Sequence, residues 1–175
     1  YKENDPISQI IGADYVIISH KKFLSEAQRL ADYRRQHNSF QTVVLNVDDI
    51  YDAFNDGVFS PLAIQRAMKH ASRSWMPGPS FLLLFGDATW DVKQRYPSTQ
   101  FSNFVPSLGN PVSDALLVCF DGEDDILPDV SVGRIPATTI EDARAIIDKT
   151  IEYESVPSAA WKKNFLFISG GLDED

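Results

Sequence analysis

The chain holds one cysteine in 175 residues, Cys119, and that scarcity closes off several chemistries at once. No internal disulfide framework can form, and no C-x-x-C pair is present to hold zinc. One cysteine does not fix the redox compartment, because disulfide-free secreted proteins exist. Positive charge is also scarce: 16 Lys and Arg stand against 25 Asp and Glu, a formal net charge of -9. No basic stripe occurs, so neither a nucleic-acid partner nor binding to an anionic membrane is expected. No membrane segment is expected either. The opening "YKENDPISQIIGADYVIISH" lacks an initiator Met, a basic n-region and a signal-type apolar core. No glycine-rich phosphate loop and no G-x-S-x-G elbow occur.

What is present suits a soluble globular fold. Hydrophobic residues make up 43% and charged residues 23%, and the length suffices for one domain with a real core. Short apolar runs alternate with segments of helical period. "DYVIIS" (14–19), "QTVVLNV" (41–47), "SFLLLF" (80–85) and "NFLFIS" (164–169) read as strands, and "DALLVCF" and "DVSVGR" read as two more. Phe23, Leu24, Ala27, Leu30 and Ala31 form one helical stripe. Ser60 and Pro61 start a second helix, whose stripe is Ile64, Ala67, Met68, Ala71 and Trp75. "DDIYDAF" adds a helical turn between them. Thr139 caps a last helix with Ala143, Ile146, Ile147 and Ile151 on its apolar face. This order predicts an α/β fold, a mostly parallel sheet with helices on both faces in three layers. Sites in such sheets form at the carboxyl ends of the strands.

One stretch concentrates charge. "FDGEDDILPDVSVGR" places five carboxylates in the nine residues from Asp121 to Asp129. Calcium takes oxygen ligands from carboxylates and carbonyls held by a turn. Asp125 and Asp129 can aim at one point with the Leu127 carbonyl between them, Gly122 allowing the turn and Asp121 or Asp124 closing the shell. The pattern is not an EF-hand, and a hydrated acidic turn is the competing reading. Cys119 lies in the apolar run "LLVCF", which favours a buried, inert thiol over a nucleophile. Of His20, His37 and His70, only His20 falls at a strand end. Asp87 follows the third strand, as a phosphoacceptor would. Lacking the acidic pair after the first strand, it reads instead as a turn former.

Laid out in order, "ADYVIISHKKFLSEAQRLADYRRQ", "VDDIYDAFNDGVFSPLAIQRAM", "FLLLFGDATWD" and "DGEDDILPDVSVGRIPATTIEDARAIIDKTIEYE" resemble the gingipain-like cysteine peptidases, relatives of caspases in their α/β fold. The resemblance implies a catalytic domain of two side-by-side subdomains, of which this region is the first. It implies that the catalytic His and Cys lie in the second subdomain, past the strand matching "NFLFIS", so that no catalytic residue belongs to this chain and Cys119 is not the nucleophile. It also implies calcium on the Asp125 and Asp129 side chains with the Gly122 and Leu127 carbonyls. An acid near the catalytic His is implied after the last strand, at Asp173 or Glu174.

The expected organisation is therefore a lead-in over 1–13, an α/β subdomain over 14–160, and the first strand of a second subdomain over 161–175. The strand-like ending reads as the edge of a piece cut from a longer protein. The implied partners are the second subdomain and a protein or peptide substrate of the parent, outside the cell or at its surface. Cleavage after Arg or Lys, as in gingipains proper, depends on a pocket residue beyond Asp175. The alternative is a peptidase-like interaction module, without catalysis, that serves secretion or assembly.

Overall fold

The computed structural model describes residues 6–91, 95, 103–122, 124–156, 162 and 164–167. Four five-residue strands form the sheet: β1 (Tyr15–Ser19), β2 (Thr42–Asn46), β3 (Phe81–Phe85) and β4 (Ser131–Ile135). They lie in the order β2-β1-β3-β4, and every neighbouring pair is parallel. The helices are α1 (Leu24–Asn38), α2 (Val47–Asn55), α3 (Pro61–Ser74) and α4 (Ile140–Ser155).

Side-chain alternation along the strands sorts these helices into two layers. Val16, Ile18, Leu82 and Leu84 point to one face, where they pack with Ile50 of α2 and Ile64 and Met68 of α3. Ile17, Phe85 and Ile135 point to the other and meet Ala27 and Leu30 of α1 and Ala143 and Ile147 of α4. Successive residues of a strand face opposite sides, so one β-branched run serves both cores. Each fully buried Ile, Leu or Phe contributes about 1.5–3 kcal/mol. Ion pairs tie the α1–α4 layer across its outer surface. Arg34 grips Glu154 through both oxygens at 2.7 and 2.9 Å, and Arg29 reaches Asp148 at 2.7 Å.

Helix starts follow the expected chemistry. The Ser60 hydroxyl accepts from Leu62 N at 3.3 Å, with Pro61 opening α3. Thr139 and Asp142 close a reciprocal capping box on α4, each side chain accepting the other's backbone N–H. Asn46 caps α2, which runs nine residues rather than a single turn. Its length follows from Val47, Ile50, Tyr51 and Ala53, all of which bury against the sheet and α3.

Two expected strands differ. Residues Ala115–Val118 of "DALLVCF" form a 3₁₀ turn. The Ser113 hydroxyl accepts from Ala115 N at 3.2 Å, and the Cys119 thiol donates back to the Ala115 carbonyl at 3.3 Å, so local bonds close the backbone into a turn. The acidic loop thus joins a 3₁₀ turn to β4 rather than two strands. Residues 164–167 of "NFLFIS" make no ladder with the described strands, and Phe165, Leu166 and Phe167 are 83%, 85% and 90% exposed. A strand persists only through its ladder, and among the described residues none reaches 164–167; residues 168–169 lie outside them.

Ile7, Ile10 and Ala13 of the lead-in belong to the packed body, and residues 1–5 lie outside the described residues. Ile7 is buried against the α2–α3 layer, and the Ile11 carbonyl accepts from Met76 N at 2.8 Å. Just after Ile11 the backbone at Gly12 passes so close to the end of α3 that a Cβ would stand 2.3 Å from the Met76 carbonyl oxygen. Gly12→Ala is therefore expected to destabilise the fold by about 1–3 kcal/mol, read as a lower denaturant midpoint at unchanged slope. An unchanged midpoint would refute the close approach.

Candidate functional site

Among the described residues, the chain's own side chains pack at the carboxyl ends of β1 and β3. His20, just past β1, accepts Lys22 N at its Nδ1 (3.2 Å) and stands edge-on to Phe104 at 5.0 Å. Burial lowers its pKa, as do Lys21 and Lys22, while Asp48 opposes them. Past β3, Gly86 has φ 137, and a Cβ there would meet the Phe104 Cβ at 2.7 Å. Asp87 behaves as the turn former expected. Its carboxylate accepts Ala88 N at 2.9 Å, and its carbonyl accepts Phe104 N at 2.9 Å.

The hub of this end is Arg134 on β4, a residue whose role sequence reasoning missed. Its Nε and Nη2 donate to the two oxygens of Asp114 at 2.8 and 2.7 Å. Nη1 donates to the carbonyls of Gly86 (2.6 Å) and Val105 (2.7 Å), and Nη2 also to the Ser107 hydroxyl at 3.2 Å. A guanidinium has five N–H groups, and all five have partners here. The available signal was the alternation Val132-x-Arg134, which puts a cation on the face that Val132 packs.

The acidic loop is stapled to its own backbone. Asp125 accepts from Asp121 N (2.9 Å) and Leu127 N (3.0 Å), and Asp129 accepts from Phe120 N at 2.9 Å. Those N–H bonds hold the Asp125 carboxyl below its ordinary range. Asp129 N donates to the Val118 carbonyl at 2.9 Å, closing the loop base. The Lys69 ammonium donates to the Phe120 carbonyl at 2.6 Å and brings a cation to that base. Gly122 adopts φ 139 with open space around it. Among the described residues no group of three or more His, Cys, Asp or Glu is arranged to hold a metal ion. Of the expected set, then, Asp125 and Asp129 converge on the 120–121 backbone, where Asp121 contributes its N–H group, while Leu127 donates its own to the other Asp125 oxygen.

Cys119 is buried, and its thiol pKa is raised by burial and by the Asp125 and Asp129 charges. Its Sγ partner is the Ala115 carbonyl, so thiol and His20 imidazole have separate partners. Asp173 and Glu174 lie outside the described residues.

With this geometry in view, the comparison with known proteins is decisive on descent. The model of peptidase family C25 matches residues 10–175. The chain belongs to peptidase family C25. No curated protein matches the chain. Among solved structures, the family C25 chain is similar to dimeric latent PorU from Porphyromonas gingivalis, with 26% identity and a TM-score of 0.68 over 85% of this chain and 16% of that one. It shares its fold with the Arg-specific cysteine proteinase gingipain R (RgpB), at 22% identity and a TM-score of 0.61 over 86% of this chain and 30% of that one. The complex of the pro- and mature domains of RgpB from Porphyromonas gingivalis gives 23% identity and a TM-score of 0.60, covering 79% and 28%. The chain thus spans between 16% and 30% of the length of these three. Among the described residues no helix is long and apolar enough to cross a membrane.

The Asp114–Arg134 pair sets an acid limb for stability. Burial raises the Asp114 pKa, but the hydrogen bonds from Arg134 and Ser107 outweigh it, and the carboxyl ends below its usual value. A depressed folded pKa gives stability that is complete above the unfolded value, about 3.9, and is lost as pH falls through the folded one. Asp114→Asn should cost about 1.5–3 kcal/mol at neutral pH and flatten the loss of stability below about pH 4. Parallel curves for the two proteins from pH 7 to pH 2 would overturn this.

Proposed function

We propose that the chain is the non-catalytic half of a gingipain-like cysteine endopeptidase, its catalytic His and Cys lying in a second subdomain that opens within 161–175. The observation that carries this reading is the conjunction of family C25 membership with the state of Cys119, the sequence's single cysteine, which is buried and bonded to the Ala115 carbonyl. A nucleophilic thiol needs a lowered pKa and an adjacent base, and Cys119 has neither a lowered pKa nor a bond to an imidazole. In the parent, a Cys thiolate would attack the scissile carbonyl, a His would transfer the proton, and backbone N–H groups would steady the oxyanion. Placement outside the cell rests on the family likeness alone.

Peptide hydrolysis tests the assignment. The 175-residue chain should leave peptide substrates intact, whereas a polypeptide of the same reading frame that reaches a downstream His and Cys should cleave them and lose that activity when the downstream Cys is replaced. Hydrolysis by the chain itself, abolished by Cys119→Ser, would overturn the assignment.

Calcium on the acidic loop belongs to the same reading. The donor set fits a loosely held hard cation: the Asp125 and Asp129 carboxylates converge on the Phe120–Asp121 backbone and keep lone pairs beyond those engaged, with the Gly122 and Leu127 carbonyls close in sequence. So few carboxylates place the expected affinity with the weak extracellular sites, at about 10⁻⁴–10⁻³ M. At roughly 10 mM calcium the folded state would gain about 1.4–2.7 kcal/mol, a rise in melting temperature of roughly 3–11 °C over chelator. Asp125→Asn should abolish the rise. Equal melting temperatures with calcium and chelator would leave a hydrated turn.

A further inference from the structure

Between α3 and the acidic loop lies an open cleft of about 410 Å³, within the size range of side-chain and small-ligand pockets. Its walls are largely aliphatic. Leu108 and Leu116 line it together with Leu62, which is 42% exposed in the first turn of α3. Donors in those walls turn to backbone carbonyls. Gln65 Nε2 donates to the carbonyls of Leu116 (2.8 Å) and Cys119 (3.1 Å), and Lys69 Nζ donates to that of Phe120.

The acidic loop adds acceptor capacity and negative charge beside the cleft. Asp125 lines the cleft, and Asp121 and Asp124 are exposed on the same loop. Lys69, the one cation among the described lining residues, offsets only part of this charge. Directly after Asp125 in the chain, Ile126 and Leu127 are 77% and 75% exposed and add apolar surface to the same loop. An acidic visitor would be repelled here. A wholly apolar one would desolvate the rim carboxylates without pairing them, at a cost.

The geometry points to this cleft as a docking site for a basic, apolar peptide segment of a partner protein. An aliphatic side chain of the partner enters between Leu62, Leu108 and Leu116, and a neighbouring Lys or Arg pairs with Asp121 and Asp124. The assignment is independent of catalysis, since it uses neither Cys119 chemistry nor any residue outside the described chain.

The test is a titration of the isotope-labelled 175-residue chain, followed through backbone amide resonances at low salt and in chelator throughout. Chelator keeps the outcome separate from the calcium reading. The probes are an acetylated, amidated tetrapeptide Leu-Arg-Leu-Lys and its charge-reversed counterpart Leu-Glu-Leu-Glu. The basic peptide should shift the amides of Leu62, Leu116 and Gly122 saturably, and the acidic peptide should not. Leu62→Ser, and separately Asp121→Asn with Asp124→Asn, should each weaken binding about tenfold, and added salt should weaken it further. These are exposed positions, so the variants keep the fold. Equal shifts with both peptides, shifts that map elsewhere, or variants that bind like the parent would overturn the assignment. So would concentration-dependent shifts of the same amides without peptide, which would mean that a second copy of the chain fills the cleft.

Discussion

Arg134 is the constraint on which the functional end of the molecule depends. A guanidinium that is mostly withdrawn from water must satisfy every N–H, because each one left bare costs its desolvation. Meeting that demand draws four groups from three pieces of chain to one point: the carboxyl end of β3 at Gly86, the Val105 carbonyl and Ser107 hydroxyl of one segment, and the Asp114 carboxylate. Asp114 in turn fixes where the 3₁₀ turn begins. That turn puts Leu117 and Val118 into the core beside α3 and leaves the chain heading into the acidic loop. One strand residue thereby decides the path of a segment on the far side of the sheet edge.

The acidic loop then answers a different problem, that of holding like charges close together beside a buried strand. Exposure to water supplies part of the answer. The rest is local: N–H groups of the loop's own backbone turn inward to Asp125 and Asp129, and Lys69 brings a positive charge to the Phe120 carbonyl. A carboxylate that accepts several N–H bonds is stabilised as an anion, and these bonds hold the Asp125 carboxyl below its ordinary range. A bound cation and a basic peptide draw on the same surplus of acceptors, which is why both readings centre here.

Much of this was legible in the residues, and the failures have identifiable causes. Runs such as "YVIIS" and "FLLLF" can bury on both faces only as central strands, and the caps at Ser60 and Thr139 announce their helices whatever the tertiary context. "ALLVCF" misled because a short apolar run does not separate strand from buried turn, and the deciding bonds come from Ser113, Asp114 and Arg134, the last 20 residues away from Asp114. Lys69 and Gln65 were invisible for the same reason: each acts on a carbonyl more than 50 positions distant, 51 for Lys69 and 51 and 54 for Gln65. The stretch 164–167 has strand composition, but composition cannot supply a neighbour.

The sheet's own topology bears on where chemistry can reside. In a sheet ordered β2-β1-β3-β4, the connections diverge between β1 and β3, and the crevice at that switch point is where an open α/β sheet ordinarily takes a ligand. Here Phe104 lies edge-on to both His20 and Phe23, each at 5.0 Å, and the bulk of Phe104 is admitted only because Gly86 has no side chain. Aromatic contacts of this kind stabilise by about 0.5–1.5 kcal/mol each beyond the area they bury. Among the described residues, aromatic packing of this kind at the switch point serves stability. That packing accords with the proposal that the reacting groups lie in a second subdomain.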